Sequence, residues 1–230
     1  MINLDLWLDK YIATVDAVFG SRIVFIGIQG SYARSEAHEN SDIDVVLILD
    51  KLTLEDLTVY KNAIANLEER TKICGFVGGA EELKAWDSGE LFQFYHDTKA
   101  LYGNLEFIAH LLTAASVKRA LVTAACGIYH ACVHNFVHEN DSALLGSLFK
   151  TAGFALQAKY WLQTGAYISK RKDLAAKLSG SDLEVLTCLL NRQNNKPGSE
   201  DFISRSRLLL NWSAEVIKTY GGENNAETEN

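Results

Sequence analysis

Two aspartates that flank one apolar residue, Asp42-Ile43-Asp44, open an apolar run that continues to residue 49. Since side chains alternate between the two faces of a strand, both carboxylates project from one face, about 7 Å apart along the chain. Carboxylates this close repel each other, and a cation between them relieves the repulsion. Mg²⁺ is commonly held by one or two carboxylates together with substrate phosphates. We therefore predict that Asp42 and Asp44 are catalytic residues that bind magnesium.

A glycine-serine turn precedes this pair, after an apolar run over residues 23–28. Gly30 permits backbone angles that other residues resist and lets a ligand approach the main chain closely. We predict that Ser31 is the N-cap of a short helix over residues 32–37, because serine is favoured at that position. Free N–H groups at a helix start attract phosphate. Gly30 and Ser31 are therefore predicted to bind the phosphates of a nucleotide.

These residues together resemble the nucleotidyltransferase signature of the DNA polymerase β superfamily. The signature reads here Gln29-Gly30-Ser31, then a spacer of about ten residues, then Ser41-Asp42-Ile43-Asp44. The Ala33-Arg34 pair and Ser41 are similar to the small-molecule branch of that family. The resemblance implies that Arg34 and Ser41 join Gly30 and Ser31 in nucleotide binding. Ser35 stands where many relatives have glycine, and we expect little effect, because serine also suits an early helical turn.

A third carboxylate is missing from the expected place. Polymerase-β-type sites commonly take a third acid from a neighbouring strand, as a metal ligand or a general base. The matching segment here, residues 72–79, contains no acid. Three explanations stay open: a base elsewhere in the first domain, a base from the helical domain, or a site with little turnover. The candidates are Glu81, Glu82, Asp87, Glu90 and Asp97 in the first domain, and His130, His134, His138 and Glu139 in the second. For His130 and His134, buried and hydrogen-bonded imidazoles are the expectation, and no companion residue completes a zinc set.

Composition and charge narrow the class of protein. The chain has 230 residues, 48% of them hydrophobic and 22% charged, and a net charge of −7. These values are ordinary for a soluble globular protein, and the absence of a basic stripe argues against a long nucleic-acid substrate. We expect no apolar run that reaches the length of a membrane span, and no signal peptide. The four cysteines have no metal-ligand spacing and are predicted to be buried free thiols in the cytoplasm.

The chain is predicted to divide near residue 104. Helical and strand patterns alternate before that point, which indicates a small mixed sheet with helices. We predict helices over 4–19, 54–70, 81–86 and 89–96, and strands over 22–29, 43–49, 73–77 and 100–102. Helical periodicity alone continues over 105–115, 117–138, 142–164, 170–178, 181–191 and 200–220. The predicted fold is α+β: a nucleotidyltransferase domain over 1–104, a helical bundle over 105–220, and a disordered polar tail over 221–230.

This layout resembles the aminoglycoside (kanamycin-type) nucleotidyltransferases, in which a helical domain follows the catalytic one. The resemblance implies a Mg²⁺-dependent enzyme that transfers a nucleoside monophosphate from a nucleoside triphosphate, ATP by expectation, to a hydroxyl of a small molecule. It further implies an acceptor bound between the two domains and allows a homodimer. Two other interpretations stay open: an antitoxin-like regulator that acts on a protein partner, and a non-catalytic nucleotide-binding module.

Overall fold

The computed structural model describes residues 2–191 and 199–222, and the chain divides into two compact units, Met1–Leu111 and Leu112–Asn230. The first unit contains all four strands of the described chain, and the described part of the second is helical. The predicted α+β class is confirmed. The first unit ends beyond the predicted boundary at residue 104, since the short helix that follows the last strand belongs to it. From residue 223 onward, the predicted tail lies outside the described residues.

The first unit alternates helices and strands, as the sequence pattern predicts. Its helices are α1 (Leu4–Phe19), α2 (Gly30–Ala33), α3 (Leu54–Ala63), α4 (Ala80–Lys84), α5 (Ser88–Asp97) and α6 (Glu106–Ala109), and its strands are β1 (Ile23–Ile28), β2 (Ile43–Leu49), β3 (Ile73–Gly79) and β4 (Lys99–Gly103).

The four strands form one mixed sheet in the order β3-β2-β1-β4. β2 pairs antiparallel with β1 and parallel with β3, and β4 pairs antiparallel with β1. β2 is therefore central. From residue 45 onward its side chains are buried on both faces, which explains its continuous apolar run. The aspartate pair lies at the start of this central strand.

The hydrophobic core of the first unit joins α1 to the sheet. The apolar stripe of α1 is buried: Trp7, Leu8, Tyr11, Val15 and Phe19. It packs with Ile43, Val45, Leu47 and Leu49 of β2, whose alternate positions point to the same side of the sheet. Burial of this face fixes the register of β2 and with it the direction of the residues between.

α3 is shorter than the predicted helix over 54–70. It ends at Ala63 and continues as 3₁₀ turns over Ile64–Asn66 and Arg70–Lys72. Glu69 between them has a left-handed backbone, with φ of 57°. A residue in that conformation cannot continue a right-handed helix, although the leucine spacing around it is helical.

The second unit contains α7 (Ala114–His134), α8 (Ser142–Thr164), α9 (Arg171–Ala175), α10 (Gly180–Leu190) and α11 (Glu200–Tyr220). The predicted helix over 105–115 is wrong: it divides into α6 and the first turn of α7. Thr113 forms a capping box with Ser116 at that point and starts a new helix there. The predicted helix over 170–178 shortens to α9.

α7 has one buried face and one exposed face. Leu121, Ala125, Ile128 and Cys132 contribute to a core shared with α8, α10 and α11. Together with the π-helical turn Asn135–Glu139 that follows it, α7 is long and apolar enough to cross a membrane by length and composition. The expectation that no segment has this length is thus wrong. The burial of one face in the bundle gives the helix a structural role in this unit.

The solvent exposure of the cysteines and histidines contradicts two further expectations. Of the four free cysteines, Cys74 and Cys126 are exposed, Cys188 is half-buried and Cys132 is buried, so burial of all four is wrong. The expectation of buried imidazoles is also wrong, because His130 and His134 are exposed. Both histidines lie on the exposed face of α7. Helical spacing alone does not show which face of the helix is buried.

Candidate active site

The orientation of the aspartate pair follows from the residue between its members. Ile43 is fully buried in the core against α1. Asp42 and Asp44 are its neighbours along the chain, so they project to the opposite face of the sheet. Asp42 is exposed and Asp44 is half-buried. The two carboxylates are close enough to interact electrostatically, which agrees with their predicted place on one face.

The glycine turn lies directly against Asp44. The Gln29 N–H donates to the Asp44 carbonyl at 2.8 Å, which joins the turn to the start of β2. Gly30 has φ of +67°, and a Cβ atom at this position would lie 1.9 Å from the Asp44 Oδ2 atom. Glycine therefore suits this position for two reasons: the backbone is left-handed, and the Asp44 carboxylate leaves no space for a Cβ atom in its present position. The result is a carboxylate oxygen in contact with the start of α2.

α2 differs from its prediction. It spans Gly30–Ala33 rather than residues 32–37, and Gln29 occupies the N-cap position without a side-chain cap hydrogen bond. Ser31 therefore lies inside the first turn, and its prediction as N-cap is wrong. The first backbone N–H groups of a helix still lack intrahelical partners. Gly30 and Ser31 remain the residues whose main chain begins this turn beside Asp44.

The turn is held to α5 by a side chain. Gln29 Nε2 donates to Thr98 Oγ1 at 2.6 Å, and Thr98 Oγ1 donates to the Phe94 carbonyl. These bonds connect the start of α2 to the end of α5. The sequence suggested no role for Gln29 beyond its place in the motif, because its partner lies far along the chain.

Ser35 ends the short helix in a left-handed conformation, with φ of 58°. The expectation that serine suits this position as an early helical residue is wrong. A left-handed backbone costs an L-residue roughly 1–2 kcal/mol, and glycine avoids the steric part of that cost. The glycine that many relatives carry here fits the conformation better.

Ser35→Gly should stabilise the protein. Removal of the Cβ strain outweighs the extra entropy that glycine loses on folding, and the expected gain in the free energy of unfolding is about 0.5–1 kcal/mol. Urea unfolding followed by circular dichroism measures it. Ser35→Ala is the matched control and should give no gain, since alanine retains the Cβ atom. A glycine variant less stable than wild type contradicts this explanation.

Electrostatics link three side chains at the site. The pKa of Asp44 is raised, first by burial and then by the negative charge of Asp42, while the positive charge of Arg34 opposes the shift. The two carboxylates therefore interact, and Arg34 does not fully compensate for them. A divalent cation would supply the missing positive charge, so the residues present fit a magnesium ion.

Arg34 lies among acids. Its Nε atom is 3.0 Å from Glu36 Oε2, and its Nη1 atom is 4.0 Å from Asp97 Oδ2. Its side chain is 11% exposed. The positive charge of Arg34 also acts on Asp44, so the guanidinium lies near the aspartate pair. A guanidinium in this place can bind phosphate oxygens, as the family resemblance implies.

Ser41 is buried, and its hydroxyl oxygen accepts a hydrogen bond from the His38 N–H at 2.9 Å. The Ser41 N–H in turn donates to the His38 carbonyl at 3.0 Å. These bonds close the loop that leads into Asp42. In the structure Ser41 fixes the position of the aspartate pair, while its predicted contact with a nucleotide stays a prediction.

The residues that could supply the third acid or the general base lie on different elements of the structure. Asp97, at the end of α5, is buried beside Gln93 and close to Arg34. Asp87 is the N-cap of α5, where it accepts from Gly89 and Glu90 N–H groups. Glu81 and Glu82 lie in the first turn of α4, and Glu81 pairs with Lys84 at 2.6 Å. Asp97 thus lies close to a predicted site residue, Arg34. His130, His134, His138 and Glu139 lie in the second unit.

Cys74 occupies the place opposite Asp44 on the neighbouring strand. β2 and β3 are parallel, and Asp44 pairs in register with Cys74, which is exposed. A carboxylate from β3 would stand at this position. Strand register is not visible in the sequence, which therefore predicts no role for Cys74 beyond that of a free thiol. In residues 2–191 and 199–222, no group of three or more His, Cys, Asp or Glu side chains is arranged to hold a metal.

Comparison with known proteins agrees with the fold of the first unit and with its sequence motif. Residues 9–88 match the family model described as a nucleotidyltransferase domain. A solved structure of a spectinomycin adenyltransferase, AAD(9), from Enterococcus faecialis with ATP and spectinomycin shares the fold, with a TM-score of 0.57 and 14% identity. The match covers 91% of this chain and 99% of that one. No curated protein matches the chain by sequence.

Proposed function

We propose that this chain, which carries a nucleotidyltransferase domain in its first unit, transfers a nucleoside monophosphate from ATP to a hydroxyl group of a small molecule with the help of Mg²⁺. The observation that carries the proposal is the contact between the Gly30 turn and the Asp44 carboxylate, with Asp42 on the same face of the sheet. A place for phosphate and a place for a cation are adjacent there.

The start of α2 suits the triphosphate. Backbone N–H groups at Gly30 and Ser31 are free of intrahelical partners and carry partial positive charge. Arg34 stands at the other end of the same short helix and brings a full positive charge. These groups would hold the β- and γ-phosphates and leave the α-phosphorus towards the aspartates.

The aspartates suit the metal. Asp42 and Asp44 would hold magnesium through oxygen atoms, the ligand type that this ion prefers. When bound, magnesium neutralises developing negative charge on the phosphates and activates an attacking oxygen. The raised pKa of Asp44 is lowered again by a bound cation, because the cation favours the ionised carboxylate. In this proposal, binding of the nucleotide and binding of the cation therefore favour each other.

The acceptor is a small molecule in this proposal. The net charge of −7 disfavours a long nucleic-acid substrate. The structure of the spectinomycin adenyltransferase AAD(9) contains ATP and spectinomycin, a nucleotide together with a small molecule. The four free cysteines favour the reducing cytoplasm as the location, since thiols persist there.

A pyrophosphate-release screen tests the proposal. Each of the four common nucleoside triphosphates is combined with magnesium and, in turn, with aminoglycosides, lincosamides and other hydroxylated metabolites. We expect release with ATP in the presence of one acceptor class, and none when EDTA replaces magnesium. Mass spectrometry of the acceptor should show the added nucleoside monophosphate.

Two outcomes contradict the proposal. Calorimetric binding of ATP without release under any acceptor indicates a non-catalytic nucleotide-binding module, for which Cys74 in place of a third acid is the favourable observation. Transfer to a co-purifying protein, with no transfer to small molecules, indicates an antitoxin-like regulator.

A further inference from the structure

Two imidazoles lie side by side where α7 passes into a π-helical turn. His134 is the last residue of α7, and His138 lies in the turn Asn135–Glu139. Both side chains are exposed, and their ring centroids are 4.9 Å apart. Within the described part of the chain, neither ring makes a hydrogen bond or an ion pair. Their nitrogen atoms are therefore available to a ligand.

The separation of the rings suits chelation of a metal ion. A zinc ion lies about 2.0–2.1 Å from a coordinating histidine nitrogen, which places it roughly 3.2 Å from the ring centroid. Two centroids about 3.2 Å from an ion and 4.9 Å apart subtend roughly 100° at that ion, close to the tetrahedral angle of zinc sites. The rings are tilted by 52° rather than stacked in parallel.

The ligand type selects the metal. Imidazole suits zinc, copper and nickel, whereas carboxylates suit magnesium. The described residues provide no set of three or more ligands, so water would fill the remaining positions of an ion held by this pair. Such a site differs from the aspartate pair in ligand chemistry, and its residues belong to the second unit.

We propose that His134 and His138 form a bidentate site for a transition-metal ion of the zinc class. His130 provides a comparison on the same helix. It lies one turn before His134 and is equally exposed. It is the matched control, since the ring contact that defines the site joins His134 to His138.

Calorimetric titration with ZnCl₂ tests the proposal on the full chain without a histidine tag. An Asp42→Asn/Asp44→Asn background removes the other cation site, so that any binding belongs elsewhere. We expect one zinc ion per chain. Since each variant leaves one imidazole of the pair, His134→Ala and His138→Ala should each weaken zinc binding by about tenfold or more. His130→Ala should bind zinc like the background protein.

Three results would overturn the site. These are the absence of zinc binding in the background protein, unchanged affinity in both His134→Ala and His138→Ala, or a loss in His130→Ala as large as that in His138→Ala. Because all three histidines are exposed, the variants should fold, which circular dichroism verifies. Proton NMR of the imidazole resonances gives a second readout, since only coordinating rings should shift on addition of zinc.

Discussion

Asp44→Asn should abolish magnesium-dependent nucleotide transfer and, at neutral pH, stabilise the metal-free protein. The amide keeps the shape of the side chain but removes the negative charge that holds the cation. A bound metal stabilises the transition state by several kcal/mol. Loss of this stabilisation should lower the rate by about 1,000-fold or more. Pyrophosphate release measures the rate, and thermal unfolding in EDTA measures the stability.

The expected gain in stability follows from the direction of the pKa shift. The pKa of Asp44 is raised in the folded protein, chiefly by burial and next by Asp42. As pH rises past the usual pKa of an aspartate, the unfolded chain therefore releases its proton first, and folding stability falls until the raised pKa is passed. This loss of folding stability persists in the wild-type protein at neutral pH. Asparagine does not titrate, so the variant lacks it.

The pH dependence separates this explanation from a general effect of the substitution. The stability difference between Asp44→Asn and wild type should vanish at acid pH, where Asp44 is protonated. Asp50→Asn is the matched control, because Asp50 directly follows β2 and pairs with Arg22 away from the turn. It should retain transfer activity. Undiminished activity of Asp44→Asn would exclude the proposed mechanism, and a stability difference that does not depend on pH would exclude the electrostatic account.

Gly30→Ala should lower both stability and activity. The new Cβ atom would lie 1.9 Å from Asp44 Oδ2, so the carboxylate must move. A left-handed backbone also costs alanine roughly 1–2 kcal/mol. Displacement of a catalytic group by about 1 Å can cost roughly 100-fold in rate. Urea unfolding and pyrophosphate release measure the two effects separately.

Gly165→Ala is the control for backbone strain alone. Gly165 has φ of +73° at the end of α8, and a Cβ atom added there would have no neighbour within 4 Å among the described residues. This variant should lose stability to a similar extent but retain transfer activity. If Gly30→Ala keeps full activity at temperatures where it is folded, the contact with Asp44 is not essential for catalysis.

The sequence predicted the parts of the site that are local. Gly30, Ser31 and the Asp42-Ile43-Asp44 alternation lie within one short segment, and the periodicity of a strand predicts both acids on one face. Residues 9–88 match a nucleotidyltransferase domain, and the α+β class is confirmed because strands and helices follow each other with clear patterns. The residues that bind nucleotide and metal stay predictions.

What the sequence did not predict depends on contacts between distant segments or on single backbone angles. Cys74 lies opposite Asp44 because of strand register, and Arg34 approaches Asp97 across more than sixty residues. The left-handed angle at Ser35 is a property of the loop rather than of the residue type. Exposure of His134 depends on which face of α7 the bundle covers.

The fit between Gly30 and Asp44 couples the identities of two positions. As long as an aspartate occupies position 44 in this conformation, position 30 has no room for any side chain. A natural or engineered variant that acquires a larger residue at 30 must therefore give up the present placement of its acid.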